Sequence, residues 1–399
     1  MSAAEASRAL RVTRSTLYAY VSRRYIRSEP RPGPSRERRY ARDDVERLRR
    51  RTEERRDPDK AAAHALQWGM PILESSITLI AGNALYYRGH DAVDLSRSRS
   101  IAEVAALIWT GRFDTGFPAP ARHAEAGRAP DSRLPFVTRA QSLLAVASAR
   151  DPLAFDLRPG RVALTGWRIL NLLTAVAARS RTPAPTIEQT LARAWSVSGR
   201  SVDLLRAALI LCADHELNVS SFTARCVASS GSNPYAVVIA GLAAVEGTRH
   251  AGVSLRVESM LDSMRRTRNV RAALGDRLRR GETIDGFGHP LYREGDPRAA
   301  AVMALLRDRY PGSSELALAV AVADAAASVM HEWPTIDFAL AALARVLRLP
   351  PGSPLALFAL GRTIGWIGHA IEQYALGQVI RPRAKYVGTA PAADSRAAW

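Results

Sequence analysis

From Ile101 to Tyr374 apolar residues recur at spacings of three and four, cut by proline and glycine breaks near Pro118, Pro130, Pro159, Pro183, Pro234, Pro311 and Pro350. That period lines one stripe of an α-helix, so the chain is expected to fold into many packed helices, a mainly α protein. One stretch departs from it. Ser75-Ser-Ile-Thr-Leu-Ile80 and Asn83-Ala-Leu-Tyr-Tyr87 cluster β-formers around a glycine and predict a short hairpin ending at Arg88-Gly89-His90. Residues 128 to 160 are richer in breaks and read as a loop-containing region. The most hydrophobic run, Leu316 to Met330, is alanine-rich, short and interrupted by Asp324, so it reads as a buried helix and no membrane contact is expected.

With 399 residues, 47% of them apolar, the chain can build more than one folding unit. Its two cysteines, Cys212 and Cys226, have no metal-ligand spacing and cannot form a disulfide framework. They read as buried small hydrophobes in a reducing cytoplasm, and no metal is expected. The start carries no pattern of a secretory signal.

The net charge of +18 is uneven, with 18 basic and 10 acidic side chains in the first 60 residues. A polyanionic partner is therefore sought at the N-terminus. Ser2-Ala-Ala-Glu5 is a capping-box pattern opening a first helix whose stripe is Ala6, Ala9 and Leu10. After Arg11-Val12, Thr13 can cap a second helix, Arg14 to Arg23, with Leu17, Tyr20 and Val21 on one side and Arg14, Ser15, Thr16 and Tyr18 mostly on the other. Arg31-Pro-Gly-Pro-Ser35 breaks the pattern, Arg36 to Tyr40 form a basic arm, and a third helix runs from about Asp43 to Arg56. With Arg38-Arg-Tyr40 and Asp44-Val45, these residues resemble the winged helix-turn-helix of MerR-type and excisionase-type domains. The resemblance implies a unit over residues 1 to 58 that meets duplex DNA through Arg14, Ser15, Thr16, Tyr18 and Arg38. The plainer alternative is a helical appendage whose arginines only face solvent. Asp57-Pro-Asp-Lys60 reads as a linker.

Within the body, Gly286-Phe-Gly-His-Pro-Leu-Tyr-Arg-Glu-Gly-Asp-Pro-Arg298 sets His289 among glycines, with Arg298 nine residues on. An imidazole beside a fixed guanidinium can polarise a carbonyl and hold a carboxylate at once, which is chemistry for a keto acid. His215, in Ala213-Asp-His-Glu-Leu-Asn218 at a predicted helix end, reads in isolation as a hydrogen-bonded structural histidine. His250, in Glu246-Gly-Thr-Arg-His-Ala-Gly252, sits near glycines at a helix boundary, where a ligand can approach closely. Asp337 has apolar neighbours in Trp333-Pro-Thr-Ile-Asp-Phe338 that would raise its pKa and make it a proton acceptor. Arg362, in Gly361-Arg-Thr-Ile-Gly-Trp-Ile-Gly-His369, and Arg381, in Ile380-Arg-Pro-Arg383, are each readable alone as surface ion pairs.

Together these segments resemble the citrate synthase family over about residues 70 to 388, in order and with similar separations. Arg88-Gly-His, Asp94-Leu95 and Ala105-Ala-Leu-Ile-Trp-Thr-Gly111 look like that family's N-terminal hairpin and first long helix. The resemblance implies that His250 binds the thioester carbonyl of an acyl-CoA, Asp337 removes the α-proton, and His289 polarises the ketone of oxaloacetate. It implies that His215, Arg298 and Arg362 grip the carboxylates, with Arg381 reaching over from the partner of a homodimer. It further implies a catalytic body at 59–399 with a smaller subdomain at very roughly 215 to 335. Acetyl-CoA or propionyl-CoA would be the substrate, with CoA as product and no permanently bound cofactor. Three departures stand out: Ala251 after the first histidine, Pro290 after the second, and Thr335 with Ala339-Leu340 around the aspartate. A second reading is a regulator whose synthase-like body senses oxaloacetate, citrate or acyl-CoA and alters DNA binding.

Overall fold

The computed structural model describes residues 1–10, 12–22, 25–30, 38–46, 48, 73–119, 133–180, 182–384 and 386–389. Its contacts divide the chain into Met1–Glu74 and Ser75–Trp399.

In the first unit, helices α1 (Ala3–Leu10) and α2 (Arg14–Ser22) precede strands β1 (Ser28–Pro30) and β2 (Arg38–Tyr40), and residues 42–46 are again helical. Ser2 and Glu5 form the capping box, the Ser2 N–H donating to Glu5 Oε2 at 2.7 Å and the Glu5 N–H to Ser2 Oγ at 3.3 Å. Thr13 Oγ1 accepts from the Thr16 N–H at 3.2 Å, which opens α2. The strands pair antiparallel with Ser28 opposite Tyr40, so part of the expected basic arm is β2. Ala6, Leu10, Leu17, Ile26, Tyr40 and Val45 form a small core. Arg31 to Glu37, most of the third helix and the linker at Asp57–Lys60 lie outside the described residues.

The second unit opens with the expected hairpin, β3 (Thr78–Ala81) and β4 (Ala84–Tyr87), extended by β5 (His90–Asp91). Both of its turns are two residues long and left-handed, at Gly82–Asn83 and Arg88–Gly89, the geometry whose twist suits tight hairpins. Helices follow: α3 (Ala92–Ser98), α4 (Ile101–Thr110), α5 (Phe136–Arg150), α6 (Pro159–Ala178), α7 (Ile187–Ala194), α8 (Val202–Leu211), α9 (Val219–Ser229), α10 (Pro234–Val245), α11 (Val253–Met264), α12 (Val270–Arg279), α13 (Pro297–Arg309), α14 (Ser314–Met330), α15 (Ile336–Val346) and α16 (Ser353–Leu376). The break-rich stretch from 128 to 160 holds a fifteen-residue helix, α5, which starts directly after Pro135 and buries Val137, Ala140, Leu143, Leu144 and Ala147. Proline is tolerated at a helix start, so the breaks flanked this helix without preventing it. Cys212 is buried as expected, whereas Cys226 is only half-buried. Among the described residues no helix is long and apolar enough to cross a membrane.

Helix α16 is the hub, buried on nearly every face from Ser353 to Ile371 and packed against α6, α8, α9 and α10. Each fully buried leucine or isoleucine there contributes roughly 1.5–3 kcal/mol. Two of its glycines set how close the α8 end can come. A Cβ at Gly361 would lie 2.5 Å from the Leu209 carbonyl oxygen, and one at Gly365 would lie 2.3 Å from Asp214 Oδ1. The Gly365 N–H instead donates to the Ala213 carbonyl at 2.9 Å. This backbone-on-backbone contact brings Arg362 beside the segment that carries His215.

Candidate active site

Three loops, the starts of three helices and the middle of α16 supply the polar residues. The first loop, Gly286 to Asp296, is held to the segment before α15 by an antiparallel bridge between Phe287 and Pro334. The Thr335 N–H donates to the Gly286 carbonyl at 2.8 Å and the Gly288 N–H to the Trp333 carbonyl at 3.0 Å. His289 lies two residues past one side of that bridge and Asp337 three past the other. Gly286 has φ +90°, and a Cβ there would come 2.9 Å from Val257 Cγ2, so both conformation and space select glycine.

His289 begins a turn closed by the Tyr292 N–H donating to the His289 carbonyl at 3.0 Å. Pro290, one of the departures noted above, occupies the second position of this turn, where its fixed φ is favourable. The Leu291 N–H donates to His289 Nδ1 at 3.2 Å, so the neutral ring carries its proton on Nε2. Burial, with Arg298 helping, pushes His289 down to about 4.

The rings of His215 and His289 are 5.1 Å apart, and Tyr292 touches both. His215 Nε2 is 2.9 Å from the Tyr292 hydroxyl. Burial, reinforced by Arg298, Arg362 and His289, holds His215 well below the ordinary histidine value, so it is neutral.

Arg298 is locked by Asp296: Nε donates to Oδ1 at 2.9 Å and NH2 to Oδ2 at 2.8 Å, both side chains being buried. Asp296 Oδ2 also accepts from the Ile336 N–H at 3.0 Å. Thr335, the residue before α15, makes no side-chain cap, so Asp296 caps that helix from afar and ties Arg298 to the turn bearing Asp337. Asp337 Oδ1 is buried and makes no hydrogen bond to protein. Burial pushes its carboxyl up to about 7, against the opposing pull of Arg298. The replaced neighbours Ala339 and Leu340 are buried in the core.

Arg362 is fully buried. Its Nε donates to the Cys212 carbonyl at 2.9 Å, but NH1 and NH2 make no hydrogen bond to protein. A buried guanidinium with both terminal nitrogens unmatched is costly unless a carboxylate meets it. Its Cζ lies 4.9 Å from the centre of the Phe358 ring, and that ring stands edge-on to His250 at 5.6 Å.

His250 lies between α10 and α11. Ala251, another departure, is buried without strain, whereas the retained Gly252 is the crowded position, its Cβ falling 2.4 Å from the Glu246 carbonyl oxygen. His250 Nε2 lies 2.9 Å from Ser220 Oγ, which accepts from Trp366 Nε1 at 3.2 Å and donates to Asn218 Oδ1 at 2.9 Å. An amide oxygen only accepts, so the single hydroxyl proton of Ser220 goes to Asn218, and His250 Nε2 donates to Ser220 Oγ. Burial, with Arg362 beside it, pushes His250 down to about 4.

Contacts therefore link His215, His289, Arg298 and the turn of Asp337 on one side, and His250 with Arg362 through Phe358 on the other. Arg381 stands apart, exposed on the segment after α16. In the N-terminal unit Arg14, Ser15 and Tyr18 are exposed and Thr16 half-buried, while Arg38 Nε donates to Ser28 Oγ at 3.0 Å. Among the described residues no group of three or more His, Cys, Asp or Glu side chains is placed to hold a metal ion. The residue reading missed Ser220, Tyr292, Asp296 and Phe358. Only Asp296 carried a signal, an aspartate before Pro297 at a helix start.

The model of the citrate synthase C-terminal domain matches residues 160–383. A putative citrate synthase 2 of Mycobacterium tuberculosis is 30% identical over 331 residues, 78% of this chain and 88% of that protein. A 2-methylcitrate synthase of Shewanella oneidensis is 28% identical over 352 residues, 78% of this chain and 91% of that one. Among solved structures, the ternary complex of the Thermoplasma acidophilum citrate synthase with carboxymethyl coenzyme A and oxaloacetate shares the fold, with TM-score 0.70 at 23% identity, covering 83% of this chain and 97% of that chain. With its family model spanning more than half of its length, this chain belongs to the citrate synthase family and is a citrate synthase-like enzyme of the acyltransferase type.

Proposed function

We propose that the cleft joins the α-carbon of an acetyl or propionyl thioester of CoA to the ketone of oxaloacetate, giving citrate or 2-methylcitrate and free CoA. The observation that carries this reading is the buried Arg362 with two unmatched nitrogens, in a site that also holds a carboxylate tuned to about 7. Arg298 and Arg362 hold the carboxylates of the keto acid, and His215 completes that subsite. His289 presents Nε2–H to the ketone. Asp337 takes the α-proton, and His250 offers Nδ1–H to the thioester oxygen once the Ser220 hydroxyl turns from Asn218 to His250 Nε2. A thioester α-proton is too weakly acidic for a carboxylate unless the developing enolate meets a fixed donor, and two neutral imidazoles on opposite reactants supply such donors. The new bond forms between the enol carbon and the ketone carbon, whose oxygen takes a proton. Water then cleaves the thioester. No resident cofactor takes part.

Arg381 would act from the partner of a homodimer, and the region near 215–335 would form the smaller subdomain that closes to exclude water. The N-terminal unit, with Arg14, Ser15, Thr16, Tyr18 and Arg38, would form a winged helix-turn-helix that meets duplex DNA. The soluble, cysteine-poor chain suits the cytoplasm. A panel of short acyl-CoA esters with oxaloacetate, followed by thiol release, tests the enzyme. Turnover abolished in Asp337→Ala is expected, and no release with any ester would overturn the reading. A mobility-shift assay under rising salt tests the DNA contact, which should weaken in Arg14→Ala and Arg38→Ala.

A further inference from the structure

We propose that Tyr292 is a positioning residue of the keto-acid subsite, holding His215 through its hydroxyl and His289 through its ring. The inference rests on the function proposed above and adds a residue that neither the motif reading nor the charged groups reveal.

The hydroxyl lies 2.9 Å from His215 Nε2, in a place where both side chains are buried. A neutral imidazole has one donor and one acceptor nitrogen, and which is which depends on its partners. Tyr292 is the partner of Nε2, so it fixes the plane of the His215 ring. The same tyrosine packs its ring 4.9 Å from that of His289, tilted by 40°. Its other neighbour is the Arg298 guanidinium, with Cζ 5.7 Å from the ring centre. One side chain therefore touches three groups assigned to the keto acid. It reaches them because the turn closed by Tyr292 N–H to the His289 carbonyl puts positions 289 and 292 on one side of the loop. Gly288 and Gly295, both left-handed, let the loop bend at either end.

A ring fixed before the ligand arrives need not be ordered at the moment of binding, so affinity gains from the preorganisation. Tyr292→Phe removes the hydroxyl and keeps the ring. We expect it to raise the KM for oxaloacetate about tenfold, equal to about 1.4 kcal/mol, with the KM for acyl-CoA unchanged and kcat little altered. Tyr292→Leu, which removes the ring too, should also lower kcat, because His289 loses its neighbour. Wild-type oxaloacetate binding, read by calorimetry, separates the two levels of the reading. If the wild type neither binds oxaloacetate nor turns over, the proposed function fails. If it does both and Tyr292→Phe matches it in oxaloacetate KM, only the role of Tyr292 falls. Equal rises in both KM values together with a lowered Tm would mean a purely structural tyrosine and would also overturn the proposal.

Discussion

Replacing Asp337 by asparagine removes one ionisable group while keeping the shape of the side chain, and its effect on stability should depend on pH in a defined direction. Burial moves this carboxyl from an ordinary 3.8 up to about 7, with Asp296 adding to the rise and Arg298 and Arg362 opposing it. The folded chain therefore keeps this proton where the unfolded chain has lost it. Stability contributed at this position is greatest below the unfolded value and falls as pH rises from about 4 to about 7, levelling off above. At about 1.36 kcal/mol per pH unit, the full loss is about 4 kcal/mol, an upper bound because the side chain keeps some contact with solvent. The asparagine variant lacks this loss. It should match the wild type near pH 4 and exceed it increasingly up to about pH 7, by at most about 4 kcal/mol, while showing no turnover. Urea unfolding followed by circular dichroism at several pH values measures the difference. A stability difference that stays flat across that window would refute the argument. The wild-type kcat/KM should rise with pH and level near 7, because the base must be ionised. His250 and His289, both near 4, should add no further limb above about pH 5.

Three more outcomes are expected. Ser220→Ala leaves His250 Nε2 and Trp366 Nε1 without their shared partner, at about 1–3 kcal/mol, so kcat should fall about tenfold or more with the oxaloacetate KM unchanged in steady-state kinetics. Arg362→Met fills the same buried volume without a charge; urea unfolding should show equal or higher stability, while calorimetry should show oxaloacetate binding lost. Gly286→Ala forces a side chain into a left-handed position against Val257, and should cost about 1–3 kcal/mol in urea unfolding as well as activity.

Local rules carried much of the architecture. The Ser2–Glu5 box, the Thr13 cap and the Gly82 turn follow from chemistry within four residues of chain. Helix α5 escaped notice because the signals on either side of it, Pro130, Pro135 and the loop before Pro159, outweighed a buried stripe of five apolar positions. The titrating residues His250, His289 and Asp337 stood out because few side chain types can move a proton. Their supports did not stand out, since a serine, a tyrosine or an aspartate is ordinary until its partner is known. Ser220 meets His250 across 30 residues, Asp296 meets Ile336 across 40, and Tyr292 meets His215 across 77.

The sequence alone determined the mainly helical body, the hairpin and the set of candidate proton-transfer and carboxylate-binding groups, because period, turn residues and functional groups are properties of short stretches. Only the tertiary structure decided which of those groups are neutral, which guanidinium keeps two nitrogens without a protein partner, and which ring lies against which. A carboxyl near 7, an unmatched guanidinium and a tyrosine between two histidines all arise from burial and from distances between remote segments. Those distances depend on how closely glycine-lined helices such as α16 let the backbone approach, which no local pattern encodes.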